Sequence, residues 1–337
     1  MHNFLDPAIL FFAFGILAGC IKSNLEIPQP ISRFLSLYLL MALGLKGGFA
    51  LAKSGLTTEI AASLACAILL AVLIPMLAYQ LLKRRVPAFD AAAVAATYGS
   101  VSAVTFITAS QYLDTHGIAY GGHMAAAMAL MESPAIVIAV VLANTLRRQA
   151  AGASVLASAN GTAQLGNAGG PPVGLGKILH ESFTDGTQLL LLGAMAVGLL
   201  TGEAGKAAMA PFSIDLFKGM LAFFLLDMGL LTARNLGKLR GQSAWLLAYA
   251  ACAPVVHASL ALGLSMLFGF SAGNATLLMV LAGSASYIAV PAVLRYSIPE
   301  ANPSVYFSMS LGITFPLNIL VGIPAYAWIA TTVLGGM

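Results

Sequence analysis

Two short stretches, Gly99-Ser100-Val101-Ser102 and Gly283-Ser284-Ala285-Ser286, set a glycine and two hydroxyls at the same spacing, 184 residues apart. Each sits in the middle of a long apolar run. Glycine frees the backbone, the hydroxyls can replace lost helix hydrogen bonds, and irregular backbone at membrane depth is tolerated only around a cavity. A helix broken there starts again with unpaired N–H groups, which together with the hydroxyls suit a small anion. Unwound carbonyls nearby suit a cation such as Na⁺. One copy alone reads more simply as small residues for close helix packing. Two copies in corresponding places favour a binding site, with Gly99, Ser100, Ser102, Gly283, Ser284 and Ser286 as the substrate-binding candidates.

Glu132 is the next residue that could do chemistry. It lies deep in an apolar run, between Met131 and Ser133-Pro134. An ionisable group at that depth is costly unless paired, protonated or ion-bound, so Glu132 is a candidate ion ligand or proton carrier. The plainer alternative is a neutral Glu bonded to a carbonyl freed by Pro134. The sequence around Thr314-Phe315-Pro316, 182 residues later, repeats the pattern without the charge, and Asn318 follows one turn on. Ser102, Glu132, Ser286, Thr314 and Asn318, with Thr105 added by the resemblance described below, form the cation-binding or coupling set. Asp227 is a second buried acid that could simply bond a neighbouring helix. Lys46 can snorkel to an interface. His123 and His257 stand alone, without metal-ligand spacing, and read as satisfied packing residues.

The elements that hold these residues are legible in the composition. Of 337 residues, 59% are hydrophobic and 8% charged, with mean hydropathy +0.91. Soluble domains carry roughly 25% charged residues, so a cytosolic enzyme, a nucleic-acid binder and a disordered chain are all excluded. The net charge of +4 does not imply nucleic acid, because most basic residues sit beside the ends of apolar runs. Cys20, Cys66 and Cys252 lie within such runs and read as small buried hydrophobes.

Ten apolar segments run at about 7–22, 32–51, 59–82, 90–112, 119–146, 178–200, 211–233, 243–268, 274–296 and 303–334, each near the ~20 residues a membrane helix needs. The odd-numbered gaps between them hold 12 of the 16 basic residues, Lys83-Arg84-Arg85 among them. The positive-inside rule places those gaps in the cytoplasm and both termini outside. The Gly-, Ala-, Ser- and Asn-rich stretch 148–177 reads as a flexible cytoplasmic linker. It separates a first five-helix unit, 1–147, from a second, 178–337. Five helices per half means that the second inserts upside down, as in secondary transporters built of inverted repeats. Leu43-Gly44-Leu45 and Met228-Gly229-Leu230, 185 residues apart, add a third match in the same order. The expected fold is therefore an all-α polytopic membrane protein, ten helices in two inverted repeats with broken helices at the midplane.

These residues also resemble a known family, the sodium-dependent bicarbonate transporters of bacteria (SbtA type), over nearly the whole chain. The likeness is carried by Gly99-Ser100-Val101-Ser102, by Met131-Glu132-Ser133-Pro134-Ala135-Ile136, and by Ala282 through Ser286, Pro291 and Leu294-Arg295 to Ile298-Pro299-Glu300-Ala301-Asn302-Pro303-Ser304 with Tyr306. The resemblance implies core and gate domains, an elevator-like motion, a homotrimer in the inner membrane, and a PII-like protein binding the cytoplasmic face. It puts bicarbonate and Na⁺ between the two broken helices, on Ser100, Ser102, Thr105, Ser284, Ser286 and nearby backbone. The chain departs from cyanobacterial members in two places: Tyr287 stands where they have an Asp, and Glu132 where they have a shorter acid. Its linker is also shorter.

The functional expectation is a Na⁺-driven carrier of bicarbonate. The nearest alternative is another small anion or carboxylate, coupled to H⁺ through Glu132. An intramembrane Ser-His enzyme is disfavoured because the serines are duplicated and the histidines are not. A channel is the remaining class.

Overall fold

The computed structural model describes residues 6–54, 57–159, 186–239 and 241–335. They are helical, with no strand among the described residues. The helices are α1 (Pro7–Cys20), α2 (Gln29–Ser54), α3 (Thr58–Leu82), α4 (Ala88–Gly99), α5 (Ala103–Thr115) and α6 (Met124–Ala159). After the undescribed stretch come α7 (Gly186–Ala210), α8 (Phe217–Leu236), α9 (Ala244–Phe268), α10 (Ala272–Gly283), α11 (Ala289–Ser297) and α12 (Pro303–Leu334). Local chemistry sets many ends. Asp6, Thr57, Ser243 and Ser271 cap α1, α3, α9 and α10 through their side-chain oxygens, and α9 stops at Gly269, whose φ of 65° suits a residue without Cβ.

Seven stretches are long and apolar enough to cross a membrane, fewer than the ten expected. The difference has physical causes. With 14 residues, α1 is about 21 Å long, short of the ~30 Å hydrocarbon core. The 12-residue α10 is interrupted at Ser284 before α11 continues. The stretch Gly186–Leu236 is 51 residues long, about two spans, and turns at Gly202, where φ is 54°. The expected linker is also modified. Helix α6 runs on to Ala159, well into 148–177, because Ala, Arg and Gln are good helix formers. The rest of that stretch lies outside the described residues.

Two helix pairs close on small residues. In α1 against α8, a Cβ on Gly15 would lie 2.3 Å from the Leu226 carbonyl oxygen, and one on Gly19 2.5 Å from the Ala233 methyl. In α2 against α7, a Cβ on Gly44 would meet the Leu191 oxygen at 2.4 Å and one on Gly48 the Met195 oxygen at 2.1 Å. Such backbone approach replaces the hydrophobic drive that lipid removes. The remaining helices pack as α3 with α4 and α6, and α9 with α10 and α12. Prolines inside α3, α6 and α9 (Pro75, Pro134, Pro254) each remove one helical N–H donor, so the carbonyl four residues earlier must find another partner.

One packing expectation is corrected. Cys66 is buried, but Cys20 and Cys252 are exposed, and all three are free thiols. In an apolar solvent a small hydrophobe gains nothing by facing inward, so burial does not follow from an apolar run.

Candidate functional site

The chain breaks at both Gly-Ser-x-Ser stretches. Helix α4 ends at Gly99 and α5 begins at Ala103, while α10 ends at Gly283 and α11 begins at Ala289. Glycine is required at both ends by close approach. A Cβ on Gly99 would lie 2.6 Å from three ring carbons of Pro75 on α3, and one on Gly283 2.9 Å from the Pro254 oxygen on α9. Each break therefore rests on a proline of the preceding long helix.

The two breaks cross and bond to each other. The Ser102 N–H donates to Ser284 Oγ at 2.9 Å, and the Ser286 N–H donates to the Thr97 carbonyl at 2.8 Å. Ser102 is the N-cap of α5: its Oγ accepts from the Thr105 N–H at 3.2 Å and from Thr105 Oγ1 at 2.9 Å. Those bonds use Ser102 Oγ as acceptor and leave its O–H to donate, with the Tyr287 hydroxyl as its neighbour. Ser286 Oγ accepts from the Val290 N–H at 3.3 Å, at the start of α11. Ser284 Oγ donates to the Leu281 carbonyl at 2.9 Å. The Ser100 hydroxyl is buried with no hydrogen-bond partner among the described residues.

A cavity of about 60 Å³ opens where the two helix starts converge. Ser102, Ala103 and Val104 line it from α5, and Ser286, Tyr287, Ile288 and Ala289 from α11. Glu132 and Met128 of α6 face them, and Ser36, Thr187 and Gln188 close it from α2 and α7. Gln188 Nε2 donates to Glu132 Oε2 at 2.8 Å. At about 10–15 Å³ per water-sized group, this space holds about four to six such groups. That is the scale of an anion with four heavy atoms. The dipoles of two helix starts point at it, and hydroxyl donors flank it.

Of the residues expected from sequence, the cavity brings together Ser102, Ser286 and Glu132, with Gly99, Ser100, Thr105, Gly283 and Ser284 directly behind them. Thr314 and Asn318 are placed elsewhere. Thr314 Oγ1 donates to the Ala250 carbonyl at 2.8 Å and lies 2.7 Å from the Tyr98 hydroxyl. Asn318 Nδ2 donates to the Gly283 carbonyl at 2.8 Å, and Tyr326 donates to Asn318 Oδ1 at 3.2 Å. Both side chains fix the scaffold around the breaks and neither lines the cavity. Asp227 accepts a hydrogen bond from Ser32, tying α8 to α2. Lys46 pairs with Asp114 at 3.3 Å and sits 4.2 Å over the Phe217 ring. His123 and His257 are buried, but His123 Nε2 and His257 Nδ1 have no partner among the described residues, so the expectation of satisfied histidines is only partly met.

Sequence reasoning missed Ser36, Thr187 and Gln188. A glutamine within an apolar run was the available signal. Tyr287, noted only as a departure, lines both this cavity and a second one of about 280 Å³ that extends toward Arg295 and Ser304. Its hydroxyl donates to Met228 Sδ at 3.6 Å and touches the Ser102 side chain. Among the described residues no group of three or more His, Cys, Asp or Glu could hold a metal ion. A Na⁺ site of hydroxyls, carbonyls and one carboxylate needs no such group.

No curated protein matches the chain. The sequence model of the Na⁺-dependent bicarbonate transporter superfamily matches residues 7–331, nearly its whole length.

Proposed function

Because the chain belongs to the Na⁺-dependent bicarbonate transporter superfamily, and is thereby a multi-pass membrane transporter and not an enzyme, we propose that it takes up bicarbonate with Na⁺ through the cavity between its two broken helices. The observation that carries this reading is the convergence of the α5 and α11 starts on one small, hydroxyl-flanked space that also contains the Glu132 carboxylate. The helix starts favour an anion there, while Glu132 repels it; two unit charges 4 Å apart interact by about 4 kcal/mol at an effective dielectric of 20. A Na⁺ bound beside Glu132 removes that conflict, so anion and cation are held together or not at all. This is coupling by electrostatics.

The ten-span, inverted-repeat architecture belongs to the same proposal, and packing supports it. The contact of α1 with α8 and that of α2 with α7 exchange under it: Gly44 lies 185 positions before Gly229 and Gly48 185 before Ala233, while Gly15 and Gly19 lie 179 before Ala194 and Gly198. Pro75 and Pro254, under the two breaks, are also 179 apart. On this reading α1, α2, α7 and α8 form the gate, and the broken helices with α3, α6, α9 and α12 form a core that carries the site past it, elevator fashion. A cavity walled by both groups is what such a motion needs. The homotrimer, the PII-like regulator, the inner-membrane location and the outward termini remain parts of this proposal that rest on the resemblance and on the basic cytoplasmic gaps.

The second reading keeps the fold and replaces Na⁺ by H⁺ on Glu132, and Tyr287 favours it, since a phenol offers a cation less than the carboxylate of relatives does. Labelled-bicarbonate uptake into proteoliposomes separates the two. Na⁺ coupling predicts uptake that needs an inward Na⁺ gradient; undiminished uptake in Na⁺-free medium, rising as external pH falls, would establish the proton instead. Competition by formate, nitrate and acetate reads the substrate class.

A further inference from the structure

A groove between α3 and α9 takes no part in transport as described above. Leu77 and Leu81 form one wall, Trp245, Val256 and Leu260 the other, and Tyr249 the floor; it encloses about 320 Å³. Leu77, Leu81 and Val256 are more than half-open or nearly so, at 50%, 54% and 58% exposed, so the groove faces outward from the bundle. From Trp245 to Leu260 it runs about 22 Å along α9, at 1.5 Å per residue. One leaflet of hydrocarbon is about 15 Å deep. The groove therefore follows an acyl chain from its ester end to beyond its tip.

The chain that follows its α3 wall is polar in a particular way. Lys83, Arg84 and Arg85 follow Leu81 by two to four residues, all exposed, with Lys83 Nζ 5.9 Å over the Tyr79 ring. Trp245 opens α9 one residue after its first position, where an indole suits the headgroup boundary. Tyr249, one turn deeper and stacked on Trp245 with centroids 5.8 Å apart, is 7% exposed, and its hydroxyl has no hydrogen-bond partner among the described residues. That hydroxyl is closed off from the groove, and the Tyr249 ring, edge-on to Tyr98 with centroids 5.1 Å apart, gives the groove an aromatic floor. Apolar slot, boundary indole and cluster of three cations occur in the order of a phospholipid's tail, ester and phosphate.

We propose that this groove binds one anionic phospholipid, its phosphate held by Lys83, Arg84 and Arg85 and one acyl chain lying between α3 and α9. The binding is independent of the transport reading, and its test contains no uptake step.

The full chain in a neutral detergent is offered phosphatidylglycerol or phosphatidylcholine of identical acyl chains, and retained lipid is counted by native mass spectrometry. Wild type should retain phosphatidylglycerol at least about fivefold better, the equivalent of roughly 1 kcal/mol, the contribution of a single Lys or Arg at the headgroup. Lys83→Gln/Arg84→Gln/Arg85→Gln should abolish the preference, and Val256→Trp should abolish retention of both. Glycerol 3-phosphate should not compete, because the tail carries most of the contact. Equal retention of the two lipids by wild type, a preference that survives the triple variant, or a Val256→Trp chain whose change is in oligomer mass (a second copy filling the groove) would each overturn the proposal. Should Val256→Trp fail to fold, Cys252 in the groove wall gives a second reading in a Cys20→Ser background. Phosphatidylglycerol should slow its labelling by an apolar maleimide, and labelling unchanged by either lipid sinks the idea.

Discussion

The two helix breaks have the same sequence pattern and the same proline beneath them, yet they are built to do different things. The first is short, residues 100–102, and leaves the Ser100 hydroxyl without a partner among the described residues. The second spans 284–288 and is pinned: Ser284 bonds the Leu281 carbonyl and receives the Ser102 N–H, and Asn318 holds the Gly283 carbonyl. The same division appears one helix further on. The first half brings a carboxylate, Glu132, to the cavity, while the second brings Thr314, which is spent on the Ala250 carbonyl and Tyr98. On the proposed repeat architecture, repetition supplies a symmetric frame, and the chemistry then concentrates in one half while the other holds it still. Buried polar groups that are fully satisfied rigidify; one left unsatisfied is available to a ligand.

The largest expected effect tests that division directly. Glu132→Gln should lower Na⁺-driven uptake by about tenfold or more, the equivalent of at least 1.4 kcal/mol of lost coupling, with little change in melting temperature. Thr314→Val should do the reverse. It removes a buried hydrogen bond and leaves Tyr98 and the Ala250 carbonyl short of a partner, a cost of about 1–3 kcal/mol in stability, with uptake per folded molecule within about threefold. Equal losses of uptake in both variants would mean that the two halves share the ion site and that the contrast is wrong.

A smaller effect separates the breaks by packing. Gly99→Ala and Gly283→Ala both place a methyl where none fits, but against different neighbours. The Pro75 ring cannot swing away from a Cβ at 2.6 Å, whereas the second methyl meets the Pro254 carbonyl at 2.9 Å and the Tyr326 hydroxyl at 3.2 Å. Overpacking costs about 1–3 kcal/mol. Gly99→Ala should fall at the upper end and Gly283→Ala at the lower, read as the difference in unfolding midpoints in one detergent. The opposite order would show the first break to be the softer one.

How far the sequence revealed this site depends on which physical signal each residue sends. Ser102, Ser286 and Glu132 were legible because a hydroxyl repeat and a lone acid are conspicuous in apolar runs, and membrane depth makes each costly without a purpose. Gln188 and Ser36 were not, because a neutral polar residue near a helix end has many inexpensive explanations. Thr314 and Asn318 were found for a sound reason, symmetry, but symmetry gives position and not partner; what their polar atoms bond is decided by Ala250, Tyr98 and Gly283 on other helices. Pro75 and Pro254, whose rings and carbonyls force the glycines, were readable at their 179-residue offset. They were passed over because proline in a helix suggests a kink before it suggests a seat. The extension of α6 to Ala159 was missed because composition that cannot form a core can still form a helix.

The serines of the breaks give the next contrast. Ser284→Ala leaves the Ser102 N–H without its acceptor and should cost about 1–3 kcal/mol of stability. Ser100→Ala removes a hydroxyl that bonds nothing among the described residues, so stability should stay level or rise slightly, and any loss of uptake then reports on the bound ions. A Ser100→Ala chain that unfolds as early as Ser284→Ala would show both breaks to be structural.

The smallest effect lies in an ion pair between the two halves. Arg147, at 7% exposure near the end of the first half's last span, donates from Nε and Nη2 to the two oxygens of Glu300 at 2.7 Å each, and from Nη2 to the Ser297 carbonyl at 2.9 Å. Those hydrogen bonds from Arg147 hold the Glu300 carboxyl below its ordinary range. A carboxylate whose folded value is depressed stabilises fully above its unfolded value, about 4.3, and that contribution fades as pH falls through the folded one. Glu300→Gln should therefore melt slightly earlier than wild type from pH 8 down to about 5, by a constant margin, and the two curves should converge only in more acidic solution. The Glu300 side chain is a quarter exposed, so water and salt screen it and the margin stays small. Curves that already converge near neutral pH would assign the titration to another group. Curves that never separate would show that this ion pair adds nothing measurable.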